Sequence, residues 1–166
     1  ANVYIFTMGV VPAFFERESG DFVMPRPTAI NARSLAEKFK YRTTGVQENL
    51  ENIEYIINSI RSINPDLKVV LTVSPVPIQA TFEFGSAVGA DCLSKSTLRI
   101  VAHELMQKEL GGIIYWPSFE IVRWLGCHTG PVFGTDDGAA WHVSESLIDM
   151  IVQMFIETYS DESNLE

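Results

Sequence analysis

Apolar residues fall along this chain in unbroken runs separated by helical stripes. "VYIFTM" (Val3–Met8) is a continuous apolar and β-branched run that stops at Gly9, and "KVVLTV" (Lys68–Val73) repeats the pattern. Runs of this kind predict strands buried on both faces, as in a parallel sheet. "IIYW" at residues 113–116 predicts a third, shorter strand. Between the first two runs, Val46, Leu50, Ile53, Ile57 and Ile60 recur every three or four residues and make one apolar helix face. Thr44 and Gln47 have capping-box spacing at its start, and Asn64-Pro65-Asp66 stops it. A second stripe, Leu98, Val101, Ala102 and Leu105, is expected to be capped by Ser94 and ended by Gly111-Gly112. Ser144 is expected to cap a last helix whose Leu147, Ile148, Ile151, Val152, Phe155 and Ile156 face inward.

Strands alternating with helices predict an α/β fold with a parallel sheet, and ligand chemistry at the carboxyl ends of its strands. Residues 1–160 read as one domain, followed by an acidic tail at 161–166, with no internal repeat. Residues 10–44 read as irregular, apart from a hairpin in "FFERESGDFVM" turning at Ser19-Gly20-Asp21. A loop of that length is expected to wall a site.

Charge removes some partners. With 12 Lys and Arg against 21 Asp and Glu, the net charge of -9 argues against nucleic acid, which needs clustered cations. No apolar run approaches the roughly 18 residues that span a bilayer. No signal segment is visible, so the cytoplasm is the expected location, although the chain opens on Ala1-Asn2 without an initiator Met and its start reads as cut. Cys92 and Cys127 lack CxxC spacing and are expected to be buried or inert thiols, with a disulfide as the alternative. No cofactor is implied.

Four stretches carry candidate chemistry. Gly9 follows the first strand and permits a tight turn; Ser74-Pro75-Val76-Pro77 follows the second and presents Ser74 at the sheet edge, without the G-x-S-x-G frame of a nucleophile. Lys95 and Arg99 share one helical face, where they either hold an anionic or polar substrate or stand solvated. His103, in "AHELMQ", lacks the second histidine of a zinc helix, and His128 has no ligand partner at recognisable spacing. In "GTDDGAAWHVSES", Asp136 or Asp137 is placed to orient His142 as a general base. The alternative is that the acids shape an Asx turn and His142 packs beside Trp141. A nucleophile to complete a triad is not announced anywhere in the chain.

Taken in order, "VYIFTMGV", "NPDLKVVLTVSPVPIQATF", "SKSTLR", "YWPSFEIV" and "HVSESLIDMIVQMF" resemble the GSCFA domain family, bacterial relatives of the SGNH (GDSL-type) hydrolases. The resemblance implies a flavodoxin-like three-layer α/β/α domain that is missing its first strands here. It also implies ester or acyl chemistry on a small-molecule or glycan ester: hydrolysis or acyl transfer with His142 as base, Asp137 or Asp136 as its partner, and Gly9, Ser74, Lys95 and Arg99 lining the site. The family's nucleophile segment would lie upstream of these residues. Two departures stand out: Gly9-Val10-Val11 lacks the oxyanion-binding asparagine, a kind of donor worth ~10²–10³ in rate, and the acid–histidine step is five residues where relatives have three. Those departures keep a non-catalytic binding or assembly subunit as the alternative. In a sheet ordered 2-1-3-4-5 this chain would supply strands 3, 4 and 5, so Val3–Met8 is expected to form an edge that an upstream segment, another chain or a second copy covers.

Overall fold

The computed structural model describes residues 2–24, 32–108 and 110–160; the prolines at 25 and 27 and the acidic residues 161–166 lie outside them. Strand β1 (Val3–Met8) pairs in parallel with β5 (Lys68–Val73) along its whole length, from Val3 opposite Lys68 to Met8 opposite Val73. The short β6 (Ile113–Tyr115) pairs with the other side of β5, giving the order β1-β5-β6. Val69, Leu71 and Val73 enter a core under helices α2 (Val46–Arg61) and α3 (Ala87–Gln107), against Leu50, Ile57, Leu98, Val101 and Leu105. Val70 and Thr72 point the other way and are buried too, so β5 is apolar throughout because both of its faces are covered. The chain is an α/β protein with a flavodoxin-like parallel sheet.

Residues 10–44 correct the expectation of an irregular loop. They form a second, antiparallel sheet of β2 (Pro12–Glu16), β3 (Phe22–Val23) and β4 (Phe39–Thr43), with α1 (Ala32–Lys38) leading into β4. The expected hairpin is there: Gly20 takes φ 77° and the Glu16 N–H donates to the Asp21 carbonyl at 2.9 Å. Phe14 meets Tyr41 edge-on at 4.9 Å, and Tyr41 meets Phe82 at 5.2 Å, which holds this sheet by aromatic contacts rather than by a long apolar run.

Helix starts differ from their sequence signals. At α2 the capping position is Gly45, because the Thr44 hydroxyl is spent on the Val11 carbonyl at 2.8 Å. Helix α3 begins under Ser86, eight residues before Ser94; Ser94 is buried inside the helix and accepts from the Val11 N–H at 2.9 Å. Its end comes at Gln107, before the glycine pair.

After β6, a short helix α4 (Ser118–Glu120) runs into a π-helical segment (Ile121–Leu125) and a 3-10 turn (Gly126–His128). Helix α5 (Glu145–Tyr159) is the last described element. Leu147 and Ile151 bury themselves against Ile121, Val122 and Val132. Ile148, Val152 and Ile156, expected to face inward, are instead 46%, 50% and 43% exposed. Cys92 and Cys127 are free and exposed, not buried, since both sit on outward helical turns. Among the described residues no helix is long and apolar enough to cross a membrane.

Candidate active site

The Gly134-to-Ser144 loop folds on itself before α5. Gly134 donates to the His142 carbonyl at 2.9 Å, and the His142 N–H to the Ala139 carbonyl at 2.9 Å. Gly134 holds φ 72°, and a Cβ there would stand 3.2 Å from the Ala140 Cα, so the turn requires glycine. The loop brings Asp137 Oδ2 into a hydrogen bond with His142 Nδ1, while Asp137 Oδ1 accepts from the Ala139 N–H at 2.9 Å. The Asx turn and the acid–histidine pair are therefore one structure. His142, hydrogen-bonded first, holds the Asp137 carboxyl below its usual range. With Nδ1 occupied, Nε2 is the ring nitrogen left for a substrate or nucleophile.

Asp136 does something else. Its Oδ2 accepts from the Glu145 N–H at 2.7 Å and caps α5, a place the sequence assigns to Ser144, whose hydroxyl makes no capping bond. Of the two acids, Asp137 is the one hydrogen-bonded to His142.

Asp137 and His142 stand at one end of a cavity of about 490 Å³. Pro75, Val76, Val122 and Val143 line it together with Ile148, Ile151 and Val152 of α5. Ser118 also reaches this cavity, but its hydroxyl partners are on β5: it meets Thr72 Oγ1 and lies 3.2 Å from the Val73 carbonyl. The cavity opens beside the carboxyl ends of β5 and β6, where α/β sheets place ligands. None of the described residues among 10–44 lines it.

The other sequence candidates are not on those walls. Ser74 donates its N–H to the Met8 carbonyl at 2.8 Å and its hydroxyl accepts from the Val76 N–H at 3.3 Å, tying the loops after β1 and β5 together. Lys95 and Arg99 do share a face, and both line a second cleft with Cys92, Glu120 and Arg123. Neither is a solvated cation. Lys95 is 2% exposed and donates Nζ to the Gly9 carbonyl at 2.7 Å; burial lowers its pKa to about 8, with Asp91 opposing and Arg123 reinforcing. Arg99 pairs with Glu120 at 2.9 Å and lies over the Tyr115 ring at 4.3 Å. Burial, then the hydrogen bond it donates to Glu120, raises the Tyr115 pKa.

Sequence reasoning missed Asp91 and Arg123. Arg123 bonds Asp91 Oδ2 and the Pro75 carbonyl, each at 2.8 Å, while Asp91 Oδ1 accepts from the Ile78 N–H at 2.9 Å. This network fixes the Pro75–Val76 wall to α3 and to the π-helical segment. Nothing local marks it: the two residues are 32 positions apart, and only the π-helical turn aims Arg123 at Asp91.

The family model for the GSCFA family matches residues 1–155. No curated protein and no solved structure matches the chain. With the match covering nearly the whole chain, this protein is a member of the GSCFA family.

Proposed function

We propose that this chain is the acid–base part of an SGNH-like ester hydrolase or acyl transferase. The observation that supports this reading is the Asp137–His142 pair, with a free ring nitrogen, at the end of an apolar cavity beside the strand ends. His142 takes the proton from a hydroxyl or thiol as that group attacks the ester carbonyl. It then returns the proton to the departing alkoxide as the carbon–oxygen bond breaks, and water, or an acceptor alcohol in transfer, repeats the step to release the acyl group. Asp137 keeps the ring in the right tautomer. Lys95, through the Gly9 carbonyl, and Ser74, through the Met8 carbonyl, tie together the strand ends behind the Pro75–Val76 lining.

The nucleophile in this reading comes from outside these 166 residues. Its carrier packs on the open side of β1, where Val3 and Ile5 are 50% and 58% exposed on an edge without a strand partner among the described residues. An upstream segment, another chain or a second copy each fits that edge.

The test is hydrolysis of p-nitrophenyl acetate by the full-length protein and its His142→Ala variant. The variant is expected to lose ~10²–10⁴ in kcat/KM. Equal rates would remove the catalytic reading and leave the alternative, a subunit that retains the fold for binding or assembly.

A further inference from the structure

We infer that the cavity beside His142 takes a neutral ester with a linear aliphatic acyl chain laid along α5, in preference to an acetyl ester. The inference rests on the ester chemistry proposed above and names the substrate class of that same site.

The polar lining is clustered: Asp137 is hydrogen-bonded to His142 and Asp136 to the Glu145 N–H, while the rest of the lining is apolar apart from Ser118. Ile148 and Val152 lie one helical turn apart and continue the row begun by buried Ile151, yet they face the open cavity instead of the core. A helix face turned away from the core of a water-soluble domain ordinarily carries polar side chains. Here it carries branched aliphatic ones, which share the cavity lining with Val76 and Val122. The ligand that matches has one polar end, the reacting carbonyl, and an apolar remainder.

An acetyl group leaves most of a 490 Å³ space unfilled. Each methylene moved from water onto the wall raises kcat/KM about fourfold until the groove is full. The acidic end sets the charge. Three carboxylates around His142 repel an anionic headgroup, so phosphate- or carboxylate-bearing esters are disfavoured at the reacting end. The same repulsion helps expel the carboxylate product.

Two measurements on the full-length protein test this. In the first, p-nitrophenyl acetate, butyrate and octanoate are compared for wild type and Ile148→Trp, a change at an exposed helix position that narrows the groove. The octanoate-to-acetate ratio of kcat/KM is expected to exceed tenfold in wild type and to drop at least tenfold in the variant, by the methylene increment above. The second is calorimetric titration with methyl octyl ketone, which has no bond to cleave, against octanoate as the charged comparison. Saturable ketone binding, weaker in Ile148→Trp and weaker still for octanoate, supports the inference even if no ester is hydrolysed, the outcome that would remove the hydrolase reading alone. His142-dependent cleavage that is fastest on acetate overturns the inference and leaves the hydrolase standing. Absence of ketone binding, as when a protein segment fills the groove, overturns it as well.

Discussion

Lys95 carries the clearest pH signature in the chain. Its ammonium is buried, and its folded pKa of about 8 lies below the unfolded value of 10.5. Between those values the unfolded state binds more protons, so stability rises with pH across the window and is lowest below it. The gain is on the order of 3 kcal/mol at full extent. Lys95→Met removes it, so thermal midpoints measured from below pH 8 to above 10.5 should rise for wild type relative to the variant; parallel curves would show that Lys95 titrates normally. Asp137 has the same sign in an acid window, since its folded pKa is also lowered. Its carboxyl is held low by His142, so the pairing contributes at neutral pH and is lost as pH falls through the lowered value. Asp137→Asn should reduce esterase kcat/KM by ~10²–10⁴ while leaving the cavity in place, and an active Asn variant would separate His142 from any acid partner.

Helix α5 shows how an element can be read correctly in extent and wrongly in its fittings. Its cap comes from Asp136, nine residues upstream of the Glu145 N–H it accepts. Asp136→Ala should therefore destabilise the protein by ~1 kcal/mol, and Ser144→Ala should cost less at the helix end, as denaturant midpoints would report. A larger loss in Ser144→Ala would reverse the assignment. The first turn of α5 also sits close to the 3-10 turn: a Cβ on Gly126 would come within 3.1 Å of Leu147 Cδ2 and 3.3 Å of the Ile121 carbonyl. That approach lets Leu147 and Ile151 pack against Ile121 and Val122.

For the molecule as a whole, the edge strand of the parallel sheet is where association is expected. Val3, Tyr4 and Ile5 are exposed along a strand whose outer edge pairs with no strand among the described residues, a template for pairing. The net charge of -9 opposes association but is not concentrated on that edge, which holds no Asp, Glu, Lys or Arg. Residues 1–166 expressed alone should self-associate in sedimentation velocity, and Ile5→Lys should shift the population towards monomer. A wild-type chain that sediments as a monomer at all concentrations would show that the edge needs no partner.

The sheet strands and the extents of α2 and α5 were legible in the sequence, because burial on both faces demands unbroken apolar runs and burial on one side demands a three-to-four stripe. Asp137 with His142 was legible too, since a tight turn needs its acid, glycines and histidine close together in the chain. The antiparallel sheet was not: its strands are two to five residues long, and its order comes from Phe14, Tyr41 and Phe82 meeting across up to 68 positions. The same holds for Lys95, whose spacing to Arg99 suits a solvated face until the Gly9 loop closes over it. What sequence alone determined is whatever a single segment must satisfy with its own residues. What tertiary structure decided is which carbonyl, cap or wall each residue reaches, because those partners are brought together only when distant loops pack.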